Sequence, residues 1–140
     1  MPSTMPRLDG RRLLEAAKHE YSWHFTFSDG ASIITESSWR LLSKDGVAVT
    51  SEDDGQLFGL KEPINACARV IAAVGGRKIT ECRLEERTSD LSVHFGDDVS
   101  VQFLTMSCGF ESWRARIGSE EIICTGGGGV SFFTRETRGG

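Results

Sequence analysis

The chain has 140 residues, 39% of them hydrophobic and 26% charged, and a formal net charge of −4. That length predicts one domain, residues 1–140, able to bury roughly 68% of its unfolded surface without staples, and the composition excludes a disordered chain. Scattered basic residues and a net negative charge exclude the electrostatic footprint of a nucleic-acid binder, and no apolar stretch is long enough to cross a bilayer.

Residues 1–6 hold two of the three prolines and are expected to form a loose end. Asp9 can cap a short N-terminal helix running to about His19, with Leu13, Leu14, Ala16 and Ala17 as its apolar side. Arg7, Asp9, Arg11, Arg12 and Glu15 leave no apolar core for a signal peptide here. Next, Tyr21, Trp23, Phe25 and Phe27 alternate with Ser22, His24 and Thr26, which predicts a strand whose aromatic side points inward. A two-residue Asp29-Gly30 loop would set Phe25 opposite Ile34. The extended pattern continues to Ser43, but its parity shifts between Ile34 and Trp39, as a bulge or bend at Glu36-Ser37-Ser38 would cause. The Asp45-Gly46 turn would then place Leu42 against Val49.

The acidic run Glu52-Asp53-Asp54 leads through Leu57-Phe58-Gly59-Leu60 to the clearest helix in the chain, near residues 63–74. Pro63 suits its first turn, Ile64, Cys67, Ala68, Ile71 and Val74 follow helical spacing, and Gly75-Gly76 ends it. Beyond it, Leu91, Val93 and Phe95 alternate with polar residues, as do Val99, Val101 and Phe103. A three-residue Gly96-Asp97-Asp98 loop pairs Phe95 with Val99, Val93 with Val101 and Leu91 with Phe103. Likewise Trp113, Ala115 and Ile117 point in, Arg114 and Arg116 point out, and the Gly118-Ser119 turn sets Ala115 across from Ile122 and Arg116 beside Glu121. A last strand spans Val130 to Phe133, and residues 134–140 are expected to be a second loose end. The fold class is α+β: a mostly antiparallel, curled or two-part sheet of about eight strands built from hairpins, with one central helix on its apolar face and a short N-terminal helix.

Signals for chemistry are weak. The glycine run 126–129 precedes a strand and no lysine follows it, unlike a phosphate-cradling loop. Glu52-Asp53-Asp54 lacks the alternating donors of a calcium loop. His24 and His94 fall on wet strand faces, and no serine has a nucleophile-elbow context. Cys67, Cys82, Cys108 and Cys124 form no C-x-x-C pair and read as reduced thiols of a cytoplasmic protein. No catalytic, metal or cofactor site is therefore predicted, and no cofactor. Trp39, beside Arg40 at the parity shift, is the aromatic residue expected to touch a partner, with Glu52, Asp53 and Asp54 facing a basic surface.

Taken together, Trp23-His24-Phe25, Asp29-Gly30, Trp39-Arg40-Leu41, Leu91-Ser92-Val93-His94-Phe95 and Phe110-Glu111-Ser112-Trp113 before a Gly-Gly segment resemble a family of small uncharacterised bacterial domains of unknown function. Some members of similar look resemble immunity proteins of toxin systems. The resemblance implies a cytoplasmic bacterial protein and a fold, and no catalytic residue. The function expected is a non-catalytic protein-interaction module, an immunity-type protein binding a partner protein or a chain pairing with its own copy as a homodimer. The alternative is a small-molecule binder or enzyme with a pocket inside the curled sheet, lined by Phe25, Phe27, Phe103 and Trp113.

Overall fold

A computed structural model describes residues 3–4 and 8–134, so most of both expected loose ends lies outside the described residues. Alternating apolar residues build two six-stranded sheets. The first contains β1 (Ser3–Thr4), β5 (Trp39–Ser43), β6 (Gly46–Thr50), β7 (Glu81–Leu84), β8 (Leu91–His94) and β9 (Ser100–Phe103), in the order β1-β7-β8-β9-β5-β6. The second contains β2 (Leu13–His19), β3 (Ser22–Phe27), β4 (Ala31–Thr35), β10 (Trp113–Ile117), β11 (Glu120–Thr125) and β12 (Gly129–Thr134), in the order β12-β11-β10-β4-β3-β2. Every pairing between these strands is antiparallel.

The inner faces meet through rings. Phe25 of β3 sits edge-on to Phe103 of β9 at 4.9 Å and to Trp39 of β5 at 5.2 Å, and Trp23 meets Trp39 at 5.3 Å. Such edge-to-face pairs add to what area burial alone contributes. The described residues form a β-sandwich with twelve strands, a two-part sheet of more strands than the eight expected.

The helix α1 (Ala66–Val74) is capped by Asn65, whose side chain accepts from Ala68 N at 3.0 Å. It does not lie on a sheet face. It packs on β2 and β6, one edge strand from each sheet, and so closes one open flank of the sandwich. Its buried residues are Ala66, Val70 and Val74, a stripe rotated from the expected one, with Cys67 and Ile71 half-buried and Ala68 exposed.

The expected N-terminal helix is absent: Leu13–His19 is the strand β2, paired with β3 through a bulge between Leu13 and Glu15. An Ala- and Leu-rich segment suits a helix by propensity, but the ladder to β3 and the contact with α1 override it. The connection after β3 is a three-residue turn, Ser28–Gly30, with Asp29 and Gly30 at φ of 60° and 76°. It shifts the register by one, so Phe25 faces Ile33 rather than Ile34. A bulge between Leu41 and Leu42 likewise sets Leu41, not Leu42, against Val49. In the β8–β9 and β10–β11 hairpins the expected pairs form: Val93 with Val101, Leu91 with Phe103, Ala115 with Ile122 and Arg116 with Glu121. Phe95 N bonds to the Val99 carbonyl at 3.0 Å.

Candidate functional site

The parity shift before Trp39 marks the place where the chain leaves one sheet for the other. β4 ends at Thr35, and β5 begins at Trp39 in the opposite layer. The crossover is tied to the loop that follows β9: Leu104 N bonds to the Ser38 carbonyl at 3.0 Å, and Ser37 Oγ donates to the Leu104 carbonyl at 2.9 Å. Thr35 Oγ1 donates to the Ser112 carbonyl at 2.6 Å. Further along that loop, Ser107 Oγ accepts from Gly109 N and Phe110 N at 3.1 and 2.9 Å.

The glycine run braces the same loop from behind. Gly127 N bonds to the Ser107 carbonyl at 2.9 Å, and a Cβ on Gly126 would stand 2.5 Å from the backbone of Gly109. A Cβ on Gly128 would stand 2.0 Å from the Arg87 carbonyl oxygen. These glycines serve close backbone approach.

Between the crossover, the Glu20-Tyr21 turn of the β2–β3 hairpin and the 104–112 loop lies an open cleft of about 810 Å³. Trp23 lines it, and the aromatic and thioether side chains of Tyr21, Phe110 and Met106 stand at it 85%, 81% and 65% exposed. Among the described residues four carboxylates, Glu20, Glu36, Glu52 and Glu111, line it against one cation, Lys18. Lys18 Nζ sits 5.0 Å from the Trp23 ring centroid and 3.9 Å from Asp54, so an ammonium already rests on the indole. Glu111 pairs with Arg114 at 3.2 Å, and Glu52 accepts from Ser38 Oγ at 3.0 Å.

The residues singled out from sequence separate here. Trp39 is fully buried at 0% exposure, packed against Trp23 and Phe25, so it belongs to the core and not to a contact surface. Periodicity could not show this, because the sheet change resets the count. Arg40 donates from Nε to Gln102 Oε1 at 2.7 Å on the outer face of β5. Asp53 and Asp54 hold the fold: Asp53 Oδ2 accepts from Thr50 N and Asp54 Oδ1 from Ala66 N, both at 2.9 Å. Of the five, Glu52 alone lines the cleft. Tyr21, expected to point inward, lies in the turn beyond the strand and projects outward. Met106 and Phe110 gave no periodic signal, since they sit in a loop.

The four side chains expected to line an interior pocket are themselves buried. Phe25, Phe27, Phe103 and Trp113 are buried in a single core cluster, and Trp113 Nε1 donates to the Ser89 carbonyl at 2.9 Å. Burial pushes the Cys67 thiol up to about 11 and raises Cys82 and Cys124 as well, which keeps these sulfurs protonated and weakly nucleophilic at neutral pH. His24 is held below its ordinary value by burial and by neighbouring His19, and Ser22 Oγ lies 3.0 Å from its Nε2. Among the described residues no group of three or more His, Cys, Asp or Glu is placed to hold a metal, and no helix is long and apolar enough to cross a membrane. Comparison with family models, curated proteins and solved structures finds no match to this chain.

Proposed function

We propose that the protein is a non-catalytic, cytoplasmic protein-interaction module, of the immunity type that its resemblance implies, and that it recognises a basic segment of a partner protein in the cleft between the Glu20-Tyr21 turn and the 104–112 loop. One observation carries this reading: among the described residues, exposed aromatic side chains and four carboxylates share one concavity with a single lysine. Aromatic residues are the usual anchors of protein interfaces, and a cavity lined by one sign of charge speeds the approach of the opposite sign. The position of Lys18 over Trp23 adds support, because it is an intramolecular version of the contact a partner's lysine or arginine would make.

The test is a titration with a hexa-arginine peptide, followed by tryptophan fluorescence at two salt concentrations. Trp23 lies at the cleft, so binding should perturb the signal, and the affinity should fall as salt rises. Replacing Glu20, Glu36 and Glu52 by Gln together should weaken binding at least tenfold while leaving the thermal midpoint nearly unchanged, since Glu20, Glu36 and Glu52 are exposed. Peptide binding that survives the triple replacement, or no binding at low salt, defeats the reading.

A further inference from the structure

The segment between the cleft and α1 is a built projection. Gly55 N bonds to the Ile64 carbonyl at 2.8 Å and Ile64 N to the Gln56 carbonyl at 2.9 Å, which closes residues 55–64 into a loop at its base. A second bond, Leu60 N to the Leu57 carbonyl at 2.7 Å, tightens its tip. The two central residues of that tip, Phe58 and Gly59, both have positive φ, 44° and 79°. Glycine and asparagine commonly fill such positions, whereas a bulky side chain there is an outlier. The result holds Leu57, Phe58 and Leu60 in water at 50%, 68% and 49% exposure, with Lys61 next in the chain.

Strain spent on displaying apolar groups asks for something that covers them. The surface of this molecule whose chemistry fits is the cleft itself. The tip offers three apolar side chains followed by an ammonium, and the cleft offers Trp23, Tyr21, Met106 and Phe110 beside carboxylates. Projection and cleft also adjoin: Glu52 lines the cleft and belongs to the turn Ser51–Asp53, whose Asp53 carbonyl accepts from Gln56 N at 3.0 Å at the loop's base. A patch that carries both a protrusion and its complementary hollow can close on itself about a two-fold axis, which satisfies both surfaces and leaves no open end.

We propose that the chain forms a two-fold homodimer in which the Leu57–Lys61 loop of each copy enters the cleft of the other, with Phe58 against the cleft's aromatic side chains and Lys61 among its carboxylates. This rests on the reading of the cleft as the recognition groove. It makes the dimer a guarded state in which each copy's groove is filled until a basic segment displaces the loop.

Sedimentation of the full chain between about 1 and 300 µM, the range of weak specific association, tests it. The dimer should appear at the upper end and dissociate on dilution. Phe58→Asp should be monomeric throughout, Phe110→Ala should weaken the dimer at least tenfold, and Lys61→Glu should weaken it by a smaller factor that salt diminishes. A mixture of Phe58→Asp and Phe110→Ala keeps one intact cleft for one intact loop, so Phe58→Asp, monomeric alone, should associate with the Phe110→Ala chain. Both side chains are exposed, and an unchanged circular dichroism spectrum checks that the variants fold. A wild-type chain that stays monomeric, or a dimer indifferent to Phe58→Asp, overturns self-docking. Phe58-dependent binding to phosphatidylglycerol vesicles by a monomeric chain overturns it too and assigns the loop to lipid. Hexa-arginine titrated into the Phe58→Asp monomer separates the two readings: if it binds while the wild type never dimerises, the groove stands and self-docking alone fails.

Discussion

Two sets of aromatic residues in this chain occupy contrasting places. Phe25, Trp39, Phe103 and Trp113 stand on strands in the dry interior, while Tyr21 and Phe110 stand on a turn and a loop around the cleft. Both sets have similar chemistry and opposite surroundings. What separates them is the backbone: a strand held in a ladder fixes which side chains face the opposite sheet, and a turn residue escapes that alternation. Trp23 lies on the border, nearly buried by its strand yet lining the cleft.

The contrast is easiest to break by truncation. Trp39→Ala should destabilise the fold by about 3–5 kcal/mol, the range for removing a large buried ring, whereas Phe110→Ala should change stability by less than about 0.5 kcal/mol. Urea unfolding followed by circular dichroism measures both. Equal losses would mean that Phe110 is part of the core. Trp39→Phe sharpens the point: Trp39 Nε1 has no hydrogen-bond partner among the described residues, so that replacement removes an unsatisfied donor along with some packing and should cost less than half of Trp39→Ala.

The backing of the cleft should be nearly as sensitive as the core, although it contains no large side chain. Gly128→Ala drives a methyl into the Arg87 carbonyl at a backbone φ of 100°. A loss of about 2 kcal/mol is expected, in the range of local backbone strain. Hexa-arginine binding should weaken by a smaller factor, because a shift at Gly128 disturbs the adjacent Gly127 N–H that holds the Ser107 carbonyl of the 104–112 loop. An unchanged melting temperature would show that the glycine run carries no packing role.

How much of this could be read from residue order depends on which force set each element. In β8–β9 and β10–β11, Glu120 and Ile123 apart, inward and outward positions alternate between apolar and polar, so burial fixes the register, and the Arg116–Glu121 pair follows from it. Leu13–His19 was legible only as an amphipathic segment. Leu13, Leu14, Ala16 and Ala17 fit a helix as well as a bulged edge strand, and the pairing partner that decides between them is a tertiary fact. Trp39 misled for a related reason, since the chain changes sheets between Thr35 and Trp39 and parity cannot be carried across. As for the cleft, Glu52 is the one lining residue whose sequence context signals a contact. Tyr21, Met106 and Phe110 meet there through loops whose positions no local pattern encodes.

Two neighbouring acids repeat the contrast between framework and surface on a smaller scale. Asp54 accepts from Ala66 N at the start of α1 and lies near Lys18, so Asp54→Ala should cost about 1 kcal/mol, the usual worth of a helix cap. Glu52→Ala, by contrast, should leave stability almost unchanged and lower the affinity for hexa-arginine. A thermal-shift measurement beside the peptide titration reads both axes, and an exchange of the two phenotypes would reverse the assignment.

The smallest expected effect is on acid stability, and its sign follows from two histidines on the outer strand faces. His24 and His94 are both held below the ordinary value of 6.5, mainly by burial of the charged form. Between 6.5 and their folded values the unfolded chain binds more protons than the native one, so stability is complete above that window and declines as the pH falls through it. The folded chain should therefore lose stability from about pH 6.5 downward, before its carboxylates titrate. Urea midpoints taken at half-unit pH intervals should show that decline, and His24→Gln with His94→Gln should flatten it. A double variant with the wild-type slope would assign the acid sensitivity to other groups. A slope that steepens instead would mean that the histidines are stabilised in their charged form, against the desolvation that their half-buried positions impose.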